Sequence, residues 1–147
     1  AGRVRCDMAI SKYNAEGYYD PTTHAALTSI EIEEKNKRFR PLVYICSPYS
    51  GDVENNVAKA RRYCRFAVDS GYLPQAPHLF FPQFMDDADE TERDLALFMN
   101  IVILAKCAEL WVFGEKISPG MAMEIRKAEV RRMPIRCFTT ECEEVVQ

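Results

Sequence analysis

From Pro41 onward, short apolar runs alternate with stretches patterned as helices, and that alternation leaves the chain few architectures. Leu42-Val43-Tyr44-Ile45-Cys46 is a continuous apolar run of strand length, which reads as a buried strand. A loop ending in the N-cap residue Asp52 follows it. Val53, Val57, Ala60, Cys64 and Ala67 then recur at helical spacing until Ser70-Gly71 closes the helix. Residues 72–76 form a second short strand, weakened by Pro74. An acidic linker (Asp86, Asp87, Asp89, Glu90, Glu92) leads into a helix over residues 91–106. Residues 110–113 give a third strand, residues 118–131 a further helix, and residues 135–138 a fourth strand.

Such an order calls for an α/β domain with a parallel sheet covered on both faces and joined by right-handed crossovers. Ligands of that architecture bind past the carboxyl ends of the strands. Two loops hold this position: 47–52 after the first strand and 114–120 after the third.

The first forty residues are patterned differently. Residues 13–19 are aromatic and turn-rich, and Asp20-Pro21-Thr22-Thr23 is a good helix entry. A helix over residues 21–38 carries Glu31, Glu33 and Glu34 before Lys35, Lys37 and Arg38, an order that suits its dipole. Its apolar residues are sparse (Leu27, Ile30, Ile32), so residues 1–40 are expected to be an extension packed on the α/β body, not a domain with its own core. Ala1 stands in place of Met, and residues 1–7 read as a remnant ahead of the segment that opens at Met8.

Composition removes several classes. The 147 residues are 48% hydrophobic, too apolar for intrinsic disorder and enough for a packed core without staples. A net charge of −3 gives no support to a binder of nucleic-acid polymers, which would need a basic surplus. The longest apolar run, residues 95–105, is interrupted by Asn100 and falls short of the roughly 20 residues that span a bilayer. No secretory leader pattern opens the sequence. Cys6, Cys46, Cys64, Cys107, Cys137 and Cys142 form no CxxC pair, and four of them sit in apolar patterns. Buried thiols in a reducing cytoplasm are the expectation.

The 47–52 loop offers hydroxyls, a glycine and a following helix N-terminus, a workable cradle for an anion or a ribose. It has neither the GxxxxGK[ST] nor the GxGxxG pattern, and taken alone it is ordinarily a plain polar strand-to-helix turn. The second loop leads into Ser118-Pro119-Gly120-Met121-Ala122-Met123-Glu124, which puts a carboxylate early in a helix above the carboxyl edge of the sheet. Gly120 and Ala122 leave room for a ligand to approach the backbone. The helix dipole favours an ionised Glu124, suited to a nucleophile, whereas apolar Met121 and Ile125 would desolvate it and raise its pKa. Taken alone, an early helical Glu is ordinarily dipole decoration, and Asp94 at the head of an apolar helix is ordinarily a cap. Tyr44, in the first strand, would need a hydrogen-bond partner if buried, and a carboxylate across the cleft would serve. His78 follows the second strand and could line the same edge. With only His24 besides it and no cysteine pair, no metal site is expected. A Cys46–His78 nucleophile is disfavoured because Cys46 reads as strand interior.

Taken in order, Tyr44-Ile45-Cys46-Ser47-Pro48-Tyr49-Ser50-Gly51, Asp94-Leu95-Ala96 and Ser118-x-Gly120-x-Ala122-x-Glu124-Ile125-x-x-Ala128 resemble the nucleoside 2-deoxyribosyltransferase superfamily. Within it they are most similar to the 2′-deoxynucleoside 5′-phosphate N-hydrolase branch. The resemblance runs over residues 41–138 and implies a flavodoxin-like, Rossmann-like three-layer sandwich with a parallel sheet of four or five strands. It also implies cleavage of the bond between a nucleobase and deoxyribose, with transfer to water or to another base. Glu124 would be the nucleophile, Tyr44 would orient it, and Asp94 would assist at base or sugar. Ser47, Tyr49, Ser50, Gly51, His78, Gly120 and Met121 would line the substrate site, and Ser118 would hold a 5′-phosphate. No cofactor is implied, and a homo-oligomer is expected. Departures weaken the phosphate site: Ser50 stands where the branch carries an arginine, and Pro48 replaces a serine. Glu109 stands near where relatives place an aspartate. The extension has no counterpart; Tyr18 or Tyr19 could stack on a base, or the segment could only buttress the fold. The alternatives to an enzyme are a nucleotide-binding or sensing protein without turnover, and a purely structural accessory protein.

Overall fold

The computed structural model describes residues 12, 13 and 16–146, so Cys6 and the reading of residues 1–7 lie outside the described residues. Two compact units meet the eye along the chain, the first ending at Phe39 and the second starting at Arg40.

In the first unit, Tyr13 and Tyr19 form an antiparallel bridge with their rings edge-to-face at 6.0 Å. The helix α1 (Pro21–Arg38) begins where the sequence indicates. Asp20 accepts from the Thr23 N–H at 3.1 Å and from its hydroxyl at 2.8 Å, and Pro21 occupies the first turn, where its missing N–H costs nothing. Lys35, Lys37 and Arg38 fall in the last turn.

The second unit runs β1 (Leu42–Cys46), α2 (Val53–Asp69), β2 (Leu73–Gln75), α3 (Glu90–Lys106), β3 (Glu109–Phe113), α4 (Pro119–Val130), β4 (Ile135–Phe138) and β5 (Glu144–Val145). Two short 3₁₀ turns, Pro77–Leu79 and Phe81–Gln83, lie between β2 and α3. The strands form one sheet in the order β2-β1-β3-β4-β5, with the first four parallel. That is the doubly wound flavodoxin-like order, and it reverses direction between β1 and β3, the place where such sheets bind ligands. Pro74 is tolerated because β2 is an edge strand.

Strand alternation divides the core in two. Val43, Ile45, Trp111 and Phe113 point to one face, where they pack with Tyr63 and Ala67 of α2. Tyr44, Cys46, Leu110 and Val112 point to the other, against Leu104 of α3 and Met121 and Ala128 of α4. The register that pairs Tyr44 with Leu110 and Cys46 with Val112 therefore fixes which side chains meet α4.

Trp111 anchors the first face. It is 1% exposed, and its ring contacts those of Tyr72, Phe66 and Phe138 with centroids 4.7, 5.7 and 4.9 Å away. Its Nε1–H donates to Glu109 Oε2 at 2.7 Å, and the Arg136 guanidinium stands 5.0 Å over the ring. Glu109 begins β3 at the amino edge of the sheet, so its work is to hold Trp111, far along the strand from the ligand-binding edge.

The sequence did not announce β5, which pairs antiparallel with β4. The turn before it runs through Cys142 in the left-handed region (φ +62°), and the Thr139 hydroxyl oxygen accepts the N–H groups of Glu141 and Glu143. Arg136 then grips Glu144 through two hydrogen bonds of 2.9 and 2.8 Å. A strand held by a charged fork and a polar turn has no apolar run to mark it. Cys46, Cys64, Cys107 and Cys142 are free thiols, and no described helix is long and apolar enough to cross a membrane.

Candidate functional site

A cleft of about 540 Å³ opens at the carboxyl ends of β1 and β3. Ser47, Tyr49 and Ser50 from the loop after β1, His78 from the turn after β2, and Ser118, Gly120, Met121 and Glu124 from α4 line it. These are eight of the residues singled out in the sequence, drawn from three separate segments.

Glu124 is the sixth residue of α4, one turn beyond the strongest part of the helix dipole. The hydrogen bond expected across the sheet is present: the Tyr44 hydroxyl donates to Glu124 Oε1 at 2.8 Å. Tyr44 itself is 1% exposed, so only Glu124 of the pair lines the cleft and the phenol holds it from the buried side. Burial raises the Glu124 pKa above the ordinary 4.5, and the hydrogen bonds from Tyr44 and Cys46 partly offset it. Burial, then the neighbouring carboxylate, pushes the Tyr44 phenol far above its usual range, so it stays protonated and must be the donor. Cys46, fully buried, has its thiol pushed up for the same reasons and lies 3.9 Å from the Met121 carbonyl oxygen. It is no thiolate nucleophile.

His78 stands 3.0 Å from the Ser47 hydroxyl through Nε2, with the Tyr49 ring edge-on at 6.5 Å. Burial drops its pKa to about 4, so the imidazole is neutral across the physiological range and presents one donor and one acceptor. Ser118 is the N-cap of α4, its Oγ accepting from the Met121 N–H at 3.2 Å, which leaves its own hydroxyl proton to give. Gly120 has open space where a side chain would begin, the nearest atom being Ser118 Oγ at 4.0 Å. The loop after β1 is tied down by Asn56, whose amide donates to the Tyr49 and Ser50 carbonyl oxygens at 3.1 Å each.

Three of the expected residues are not on the cleft wall: Tyr44, which lies behind Glu124, Gly51 and Asp94. Gly51 has φ +95°, so the turn into α2 requires a glycine there whatever the ligand. Asp94 is exposed and absent from the lining; Arg93, Ala96, Leu97 and Asn100 of α3 face the cleft instead. Of these Asn100 stands out, because its Oδ1 is buried with no hydrogen-bond partner. A buried amide oxygen left unpaired costs free energy, and a ligand N–H or O–H would relieve it. The signal was visible in the sequence as the single polar break in the apolar run of residues 95–105.

Fold and cleft together define an α/β protein of flavodoxin-like strand order with a cleft at the switch point of its sheet. A solved 2-deoxyribosyltransferase from the psychrotolerant bacterium Bacillus psychrosaccharolyticus, described as a suitable biocatalyst for the industrial synthesis of antiviral and antitumoral nucleosides, shares this fold. Its TM-score is 0.53 at 16% sequence identity, covering 72% of this chain and 77% of that one. Residues 41–138 match the family described as a domain of unknown function, DUF7768, and the chain belongs to that family. No curated protein matches the sequence.

Proposed function

We propose that the protein cleaves the N-glycosidic bond of a 2′-deoxynucleoside or its 5′-monophosphate, with Glu124 as nucleophile. The observation that carries this reading is the partly desolvated Glu124 carboxylate held at 2.8 Å by Tyr44 inside a cleft at the switch point of the sheet. A Glu124 oxygen attacks the anomeric carbon while the carbon–nitrogen bond breaks, its electron pair leaving with the base, which takes up a proton. The glycosyl ester is then attacked at the same carbon by water or by a second base, which loses a proton as Glu124 departs. Tyr44 keeps one oxygen engaged so that the other is presented to the sugar. Asn100 Oδ1 accepts from a donor of the bound substrate, and neutral His78 with Ser47 supplies further polar contacts. Likeness to the deoxyribosyltransferase fold and to the N-hydrolase motifs supports the same chemistry, as does the small-molecule size of the cleft.

Incubation with each deoxynucleoside and deoxynucleoside 5′-monophosphate, followed by chromatography, tests the reading. Free base is expected from at least one of them. Thermal stabilisation by these ligands with no base released from any would instead establish binding without turnover.

The pH profile carries a second expectation. Glu124 must be ionised to attack, so base release rises with pH through the Glu124 pKa, above the carboxylate's usual 4.5. Because the Tyr44 hydrogen bond lowers that pKa, Tyr44→Phe moves the acid limb to higher pH. Loss of a hydrogen bond to a charged group also lowers kcat by about 10- to 100-fold. An acid limb unmoved in Tyr44→Phe would separate Tyr44 from the nucleophile.

A further inference from the structure

One stripe of α3, formed by Arg93, Ala96, Leu97 and Asn100, makes a wall of the Glu124 cleft. The helix runs from the carboxyl edge of the sheet, where β2 ends, to the amino edge, where β3 begins. Arg93, its side chain half exposed, therefore stands at the mouth, and Asn100 lies two turns, about 10 Å, deeper. On the same face of the sheet α4 descends in the same direction, and Glu124, like Asn100, lies six residues before the end of its helix. The nucleophile and Asn100 thus share about the same depth, with apolar Ala96 and Leu97 rising from there to Arg93.

Each end of this stripe has an unmet hydrogen-bonding need. Asn100 Oδ1 is buried with no partner and calls for an N–H or O–H. Arg93 gives its Nε–H and one Nη2–H to the Asp87 carbonyl oxygen at 3.1 and 2.8 Å, which fixes the fork. Three N–H groups of the guanidinium are left without a partner among the described residues. Arg93 is also the one cation among the residues that line the cleft. Groups that could hand a proton to a departing base are poorly placed: Asp94 is exposed and off the wall, Asp87 is an exposed carboxylate, and burial keeps His78 neutral. A guanidinium stabilises a departing base without giving up a proton.

We propose that Arg93 and Asn100 read the leaving base, Arg93 donating to a carbonyl oxygen on its outer edge and Asn100 accepting from an N–H, so that an oxo base such as hypoxanthine or uracil is taken in preference to an amino base such as adenine or cytosine. The ring lies against Ala96, Leu97 and Phe81 of the lining. As Glu124 bonds to the anomeric carbon and the carbon–nitrogen bond breaks, the electron pair passes into the base and onto that oxygen. Arg93 keeps its protons, and the base leaves as an anion that takes a proton from water afterwards. An amino base sets its own N–H groups against those of the guanidinium. The leaving-group role rests on the N-glycosidic reading; the recognition of the base does not.

Isothermal titration calorimetry of the full chain with free hypoxanthine and free adenine tests the recognition, and kcat/KM for deoxyinosine and deoxyadenosine tests the leaving-group role. Hypoxanthine is expected to bind about tenfold or more tighter than adenine, and deoxyinosine to be cleaved with the same preference. Arg93→Gln is expected to remove both preferences, lowering kcat for deoxyinosine more than it raises KM, and Arg93→Lys to restore part of the loss. Asn100→Leu is expected to weaken hypoxanthine about tenfold while the thermal midpoint holds or rises, because an unpaired buried oxygen is removed. A midpoint that falls with hypoxanthine affinity unchanged would make Asn100 structural and overturn its part. Equal binding of the two bases, binding of neither, or a preference that survives Arg93→Gln overturns the proposal. Selective hypoxanthine binding that is lost in Arg93→Gln, with no base released from any nucleoside, upholds the base wall and counts against the glycosidic reading alone.

Discussion

Replacing Glu124 by alanine is expected to lower base release by about 10³-fold or more, with the substrate still bound. The expectation follows from the geometry: among the cleft residues, Glu124 is the carboxylate that a buried phenol orients from below. Glu124→Gln, which keeps an acceptor for the Tyr44 hydroxyl, is expected to raise thermal stability at neutral pH. Burial makes the folded-state pKa of Glu124 higher than its unfolded value, so the native state binds the proton more tightly. Below the unfolded value that difference costs nothing. As pH rises through the folded-state pKa, ionising the buried carboxylate destabilises the fold. Glu124→Gln should therefore gain thermal midpoint at pH 7, and the gain should shrink as the pH is lowered. A loss of activity together with a gain of stability is the signature of a residue kept for chemistry. Loss of both would mark Glu124 as a structural hydrogen-bond partner of Tyr44.

The largest structural effect is expected at Trp111. Its alanine variant removes the ring shared by Phe66, Tyr72 and Phe138, opens a cavity on one face of the sheet, and takes away the donor to Glu109 Oε2 and the ring beneath Arg136. Large-to-small changes of this kind cost about 3–5 kcal/mol. For a unit of this size, that corresponds to a fall in thermal midpoint of more than about 10 °C. Trp111→Phe keeps most of the ring contacts and loses the 2.7 Å hydrogen bond to Glu109, so it should fall between the two. A Trp111→Ala midpoint within a few degrees of the wild type would mean that the second core face, around Tyr44 and Leu104, carries the stability alone.

Much of this was legible because periodicity fixes direction. A strand places Tyr44 and Cys46 on one face, a helix of known start brings Glu124 over it, and the parallel order puts both at the same edge. Asp94 shows where such reading stops. Once α3 is set in phase, Arg93, Ala96, Leu97 and Asn100 share the cleft-facing stripe, and Asp94, about 100° around the helix, does not. Asp94 comes from the resemblance alone, and a motif match does not carry the phase of the helix. β5 was hidden for a different reason, its order resting on Thr139, Cys142 and the Arg136–Glu144 fork in place of an apolar run.

The central claim is that Glu124 forms a covalent bond to the sugar. Acid quenching of the protein during turnover of a deoxynucleoside that releases base, followed by proteolysis and mass spectrometry, addresses it most directly. The predicted result is one deoxyribosyl group attached to the peptide that carries Glu124, and none in Glu124→Gln. Base release with no sugar on that peptide, or a sugar carried on a different residue, would contradict it.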